Sequence, residues 1–281
     1  MCYNEFLMKD KYTATWVSHS SMSDYLKCPR AYYLKNVYRD PGNNHKLTLM
    51  QPALALGQVV HEVIESLSIL PVEDRFAISL REKFDHAWAR VSGHLGGFHD
   101  TQEEEKYKNR GVAMVSRVQN NPGPLLRKAV KLRQDLPYFW ISEEDNIILC
   151  GKIDWLEYIE DSDSVGILDF KTGKLDEDTG SLQLPIYYLL AGACQTRQVS
   201  GLSYWYVDRD DVPTALPLPD AQSAKNRVLE VARRVALARK LGRFVCKHAD
   251  GCSACRPLEM IIAGNARLVG VNDFGQDLYV L

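Results

Sequence analysis

The chain has 281 residues, 46% hydrophobic and 25% charged, an ordinary balance for a globular protein and length enough for one large domain or one domain with a substantial insert. A formal net charge of −2 counts against a passive, uniformly basic nucleic-acid binder, but it suits a site where carboxylates hold cations that supply the positive field locally. No apolar run reaches the roughly 18 residues of a membrane span, and the opening MCYNEFLMKDKYTATW lacks the apolar stretch of a signal peptide, so a cytoplasmic protein with no membrane partner is expected.

In chain order, residues 18–39 read as two short helices broken at Cys28-Pro29, with Ser18 or Ser20 as a cap and Pro29 in a first turn. A longer helix follows over about 53–70, stopped by Pro71. Phe76, Leu80, Phe84 and Trp88 recur every four residues and predict an amphipathic helix over 73–91. Residues 93–100 form a Gly/His-rich loop, then helix is expected over 101–119 and again from Pro122 to about 134. At Pro137 the texture changes: residues 138–142, 147–159 and 164–170 are rich in β-branched and aromatic side chains separated by acidic turns, the pattern of a β-meander. Residues 183–194 read as helix, 199–207 as strand and 220–241 as a long helix, and the tail closes with a cysteine group and a final hairpin. A helical first half feeding a sheet with flanking helices is α/β with a helical insertion.

The strongest local signal is Gly151-Lys-Ile-Asp154 followed by Asp169-Phe-Lys171. On a strand, alternate side chains share a face, so Asp169 and Lys171 point together while Phe170 points to the core. Asp154, expected on the neighbouring strand, brings a second carboxylate beside Asp169, and such a pair binds Mg²⁺ or Mn²⁺. Asp-x-Lys alone is common on solvated strand faces, but here both acids interrupt apolar strands (CGKIDWLEY and VGILDFK), where a carboxylate needs a reason to be tolerated. Two further pairs sit one helical turn apart, Gly57 with His61 and Gln183 with Tyr187; each alone reads as an ordinary helix face.

Taken in order, GxxxH, G-x-x-D, D-x-K and Q-x-x-x-Y resemble the RecB-like branch of the PD-(D/E)XK nuclease superfamily, over most of the chain from SMSDYLKCPRAYYL to the last cysteines. The resemblance implies a restriction-endonuclease-like core, a mixed central sheet flanked by helices. It implies His61, Asp154, Asp169 and the main-chain carbonyl of Phe170 as metal ligands, Lys171 as the catalytic lysine, and Gln183 and Tyr187 as groups that orient the scissile strand or support Lys171. The expected organisation is a single nuclease domain over 1–281: N-terminal helices over 18–70 with Cys28 and His61, the helical insertion over 71–136, the catalytic α/β core over 137–243, and the cysteine group and tail over 244–281.

Seven cysteines, an odd number, argue against a disulfide framework. Cys150 and Cys194 read as buried thiols and Cys2 as a free surface thiol, leaving Cys28, Cys246, Cys252 and Cys255 as a four-thiolate set. Such a set suits an iron–sulfur cluster or zinc, and its chemistry alone does not separate them. The spacing C-x5-C-x2-C with a distant fourth cysteine is unlike a zinc ribbon. It resembles the iron–sulfur nucleases of the AddB type and of CRISPR adaptation, although here the third late cysteine, Cys246, precedes the CxxC. That likeness implies a [4Fe–4S] cluster clasping the two ends of the domain, with structural Zn²⁺ as the alternative.

Lys27, Arg30 and Lys35 with Tyr32, Tyr33 and Tyr38 make a basic, aromatic segment beside Cys28, and Arg30 and Tyr33 are the candidate DNA contacts there. Arg227, Arg233, Arg234, Arg239, Lys240 and Arg243 form a second candidate stripe on the helix over 220–241. The function expected is a Mg²⁺- or Mn²⁺-dependent DNA nuclease, an exonuclease on single-stranded or end-containing DNA in repair, recombination or CRISPR adaptation, with a helicase or integrase as partner. The alternative is a catalytically inactive, cluster-stabilised DNA-binding subunit of a larger complex.

Overall fold

The structure is a computed structural model that describes residues 10–281, so Cys2 lies outside the described residues. The strands are β1 (Thr15–Val17), β2 (Lys46–Leu49), β3 (Tyr138–Ser142), β4 (Ile147–Cys150), β5 (Trp155–Ile159), β6 (Ser164–Lys171), β7 (Val199–Tyr206), β8 (Thr214–Leu216), β9 (Arg267–Val271) and β10 (Gln276–Val280). The α-helices are α1 (His19–Lys27), α2 (Pro29–Tyr32), α3 (Pro52–Ser66), α4 (Leu80–Trp88), α5 (Thr101–Asn120), α6 (Gln183–Cys194), α7 (Ala221–Leu241) and α8 (Arg256–Ile262). Their ends follow local chemistry. Ser18 and Ser21 form a reciprocal capping box at the start of α1, Asp100 and Asp220 cap α5 and α7, and Gly242 ends α7 in the left-handed region.

A mixed sheet of order β5-β6-β7-β8 forms the centre: β5 is antiparallel to β6, β6 parallel to β7 and β7 antiparallel to β8. The parallel step is bridged by α6, as a parallel pair requires. A second sheet, β1-β4-β3, and a third, β2-β10-β9, tie early segments to late ones through the parallel pairs β1–β4 and β10–β2. The architecture is therefore mixed α/β with helices on both faces of the central sheet.

The period of two in β6 sets up those faces. Val165 and Ile167 pack with α6 and α7 residues such as Ile186, Leu190, Val228 and Val235, whereas Leu168 and Phe170 pack with Trp205 against α3, α4 and α5 through Leu56, Val60, Phe84 and Met114. Asp169 continues the face that looks toward α6. Gly111 lets α5 cross tightly over α4, since a Cβ there would fall 2.2 Å from Phe84 Cζ.

Several expected elements differ. The helix predicted over 73–91 begins only at Leu80, capped by Ser79; residues Val72–Asp74 make a 3-10 turn instead. Of the helix predicted from Pro122 to about 134, the structure has a 3-10 turn, Gly123–Leu126, and the chain then runs extended because β5 offers an unpaired edge: Val130 N donates to Leu156 O and Tyr158 N to Lys128 O. The single strand predicted over 147–159 is interrupted at residues 151–154, and its halves, β4 and β5, belong to different sheets. Asp154 thus precedes a strand rather than lying on one. The short strands β1 and β2 carry too few residues to show a periodicity and are defined by their distant partners.

Candidate active site

The C-terminal end of β6 opens into a cleft of about 570 Å³. Asp169 and Lys171 leave β6 on one face; the β5–β6 register, which pairs Trp155 with Leu168, brings Asp154 opposite Asp169. The turn before β5 is fixed by Asp154 itself, whose Oδ2 accepts from Phe170 N at 3.0 Å. The Phe170 ring is buried, 6.0 Å from that of Trp205, so the cleft receives only its main chain. α3 supplies His61, whose Nδ1 lies 3.3 Å from both Asp154 Oδ2 and Glu65 Oε1. Gly57, one turn earlier, permits the approach, because a Cβ there would lie 3.3 Å from Thr172 Oγ1 just beyond β6.

From α6, Gln183 joins the two functional groups of β6. Its Nε2 donates to Asp169 Oδ1 at 2.8 Å and to Tyr187 Oη at 3.2 Å, while its Oε1 accepts from Lys171 Nζ. Lys171 Nζ also lies 2.9 Å from Asp169 Oδ2 and 3.1 Å from Glu177 Oε2. The structure therefore brings His61, Asp154, Asp169, the Phe170 main chain, Lys171, Gln183 and Tyr187 into one cleft.

Burial pushes the Asp154 carboxyl up, and the Asp169 charge adds to this, to about 7. Burial also raises Asp169, against the pull of Lys171. For Lys171 burial works the other way, yet the Asp169 and Glu177 carboxylates outweigh it and hold the ammonium charged. Burial likewise disfavours charge on His61, but Glu65, Asp154 and Asp169 overcome it and raise its pKa. Burial keeps the Tyr187 phenol protonated.

These shifts give a pH prediction. An acid with a raised folded pKa takes up its proton on folding, so through Asp154 the metal-free protein loses stability as pH rises from about 4 to about 7. His61 acts in the same direction: its stabilisation is present below its unfolded pKa and lost as pH rises through the higher folded one. A divalent cation offsets the uncovered charge, so Mn²⁺ should raise the melting temperature more at pH 8 than at pH 5.5. Equal shifts at both pH values would contradict this account.

The donor set fits a hard divalent ion. His61, Glu65 and Asp154 offer atoms within 4.8 Å of one another, and Asp169 Oδ2 is buried without accepting a well-directed hydrogen bond despite its nearby ammonium. Glu65 is the addition to the sequence reading. It stands four residues after His61 and pairs with Lys152 through its other oxygen. Its signal, His-x-x-x-Glu on one helix face, was available but indistinguishable from common helical polarity. Glu65→Gln should weaken Mn²⁺ binding by about 10–100-fold, measured by calorimetry; an unchanged affinity would remove Glu65 from the site.

A second site lies at the other end of the molecule. Cys28, Cys246, Cys252 and Cys255 present sulfurs within 4.8 Å of one another, with Cys28 and Cys255 buried. Cys28 precedes α2, whose first residue is Pro29, and its thiol is pushed up to about 12, chiefly by burial; Cys252, half-buried, is lowered to about 6, chiefly by main-chain hydrogen bonds. Around them packs a small apolar group including Leu34, Leu47, Leu258 and Ile261. Arg30 and Tyr33 belong here and do not line the catalytic cleft: Arg30 forks onto Glu259 and sits 5.3 Å over the Tyr33 ring, which packs on Phe244. Cys150 is buried as expected, while Cys194 is only half-buried. Of the α7 cations, Arg227, Arg233 and Arg239 are engaged with Gly180 O, Asp145 and Tyr32 Oη.

A mixed sheet whose strand β6 delivers a buried acid and a lysine to an open cleft, with a second acid from the turn before β5, defines an α/β core with a candidate divalent-metal centre. The chain belongs to the PD-(D/E)XK nuclease superfamily, whose family model matches residues 16–258. Among proteins of curated function none matches this chain. A solved structure from Eubacterium rectale, named "Putative exonuclease", superposes with a TM-score of 0.50 over 98% of this chain and 96% of its own at 11% identity, a likeness in fold. No helix among the described residues is long and apolar enough to cross a membrane.

Proposed function

We propose that this protein is a Mg²⁺- or Mn²⁺-dependent deoxyribonuclease, acting as an exonuclease on single-stranded or end-containing DNA in repair, recombination or CRISPR adaptation, with a helicase or integrase as partner. The observation that carries the reading is the pair of buried Asp169 with half-buried Lys171, joined by Gln183 and set opposite a second, half-buried acid, Asp154, in one open cleft. In this reading His61, Asp154, Asp169, the Phe170 carbonyl and Glu65 hold the cation, which when bound polarises a phosphoryl oxygen and lowers the pKa of water. Lys171, held as an ammonium, donates to the phosphoryl oxygen or to the attacking water and stabilises charge as it develops. Gln183 orients Lys171 and Asp169 at once, and Tyr187 fixes the amide of Gln183. A catalytically inactive DNA-binding scaffold gains nothing from two acids held side by side where burial disfavours the charge of both, and this argues for the enzyme.

The test uses end-labelled linear and internally labelled circular single-stranded DNA with and without Mn²⁺. The proposal expects metal-dependent loss of the linear substrate and survival of the circle. Cleavage of neither rejects the nuclease, and equal cleavage of both rejects the exonuclease mode.

For the cysteines we propose a [4Fe–4S] cluster, supported by one early and three late thiolates. One observation favours a second reading, a single Zn²⁺. Tetrahedral Zn–S bonds place ligand sulfurs roughly 3.8 Å apart, a cubane core holds them further apart, and Cys252 and Cys255 are separated by 3.8 Å. Anaerobic purification decides: a brown protein absorbing near ~400 nm supports the cluster, whereas a colourless one with stoichiometric zinc supports the ion.

A further inference from the structure

Beside the catalytic cleft lies a second cavity of about 340 Å³, lined by Ala53, Leu56, Lys106, Tyr107, Arg110, Thr172, Gly173 and Lys174. Thr172 and Gly173 line both, so the two spaces adjoin across the segment that follows Lys171. Their charge patterns differ. The first cleft mixes three carboxylates with two lysines and two histidines, whereas the second cavity is lined by three cations and no acid. Arg110 is already committed, to Asp208 and to the Thr172 carbonyl at 3.1 Å, and so pins α5 to the end of β6. Lys106 and Lys174 are exposed, and no described carboxylate pairs with either. The start of α3, capped by no side chain, adds the positive end of a helix dipole. At Gly173 an added Cβ would meet nothing within 4 Å, so the floor of the passage is open main chain.

We infer that this cavity is a phosphate-binding subsite, in which Lys106 and Lys174 hold the backbone of the DNA strand next to the scissile bond. The inference rests on the nuclease reading and adds to it a path for the substrate: over Thr172 and Gly173, between α3 and α5. A strand crossing from a metal-dominated cleft into a cation-lined passage keeps each phosphate beside positive charge. Because the contact is to phosphate, it is independent of base sequence and dependent on substrate length. α5 belongs to the helical insertion, which thereby contributes to substrate grip as well as to the core.

The experiment compares wild type with the Lys106→Glu/Lys174→Glu double variant, with Lys128→Glu as a surface-charge control, all checked for unchanged melting temperature. Bis(p-nitrophenyl) phosphate reports the metal site alone, and a 30-nucleotide single strand reports the extended path. The double variant should hydrolyse the small diester within about twofold of wild type, lose about tenfold or more in kcat/KM on the 30-mer, and bind that strand in Ca²⁺ with a log–log salt slope smaller by about 1.4, roughly 0.7 per phosphate. Equal losses on both substrates, or an unchanged salt slope with unchanged 30-mer cleavage, overturn the subsite. A wild type that hydrolyses neither substrate overturns the nuclease reading instead, and the binding slope still decides the subsite.

Discussion

Asp169→Asn should lower the single-turnover rate of DNA cleavage by on the order of 10²–10³-fold while leaving the melting temperature unchanged or higher. The substitution keeps the shape of a side chain that is almost wholly buried and removes a charge that burial already disfavours. What it takes away is the anionic oxygen facing the cleft and the counter-charge of Lys171. Lys171→Met should lose a similar factor, but at a cost in stability, because it leaves Asp169 without its cation. The two effects should not add, since both residues are held by one amide, Gln183. A variant pair that cleaves at the wild-type rate, or losses that multiply, would show that Asp169 and Lys171 do not act as a unit.

The largest effect on stability should come from the cysteine site. Cys28 stands more than two hundred positions before Cys246, Cys252 and Cys255, and the apolar group around them is small. The cysteines otherwise enclose only that modest core, so at the proposed metal centre most of the stabilisation would come from metal–sulfur bonds. Apparent binding energies of structural metal sites reach about 10–16 kcal/mol, which exceeds the net stability of many domains. Cys255→Ser should therefore lower the melting temperature by more than about 10 °C and expose residues 244–254 to limited proteolysis, as should removal of the metal from the wild type. A serine variant with unchanged melting temperature and metal content would show that the four cysteines form no shared centre.

The candidate catalytic residues stood out in the sequence because their chemistry conflicts with their surroundings. Asp154 and Asp169 interrupt apolar stretches, Lys171 shares a face with Asp169, and Gln183 and Tyr187 repeat at one helical turn, so each departs from a pattern the neighbouring residues establish. Glu65 was not legible, since a glutamate on a helix is ordinary and only the fold reveals that α3 aims it at Asp154. Lys106 and Lys174 are far apart in the chain and meet only through the packing of α5 beside the end of β6. The α/β class followed from texture, but the division of residues 147–159 between two sheets did not, because period-two alternation says nothing about which neighbour a strand will pair with. For the same reason β1 and β2 escaped notice: strands of three and four residues exist only by virtue of β4 and β10. Arg30 and Tyr33, whose types suit nucleic acid, lie beside the cysteines, where Arg30 pairs with Glu259 and Tyr33 packs against Phe244.

The most direct test is a crystal soaked in Mn²⁺ and measured at the manganese absorption edge. The account predicts an anomalous peak in the cleft within coordinating distance of His61, Asp154 and Asp169, lost in Asp154→Asn. A cleft without manganese at saturating concentration, or a peak that survives that substitution unchanged, would contradict it.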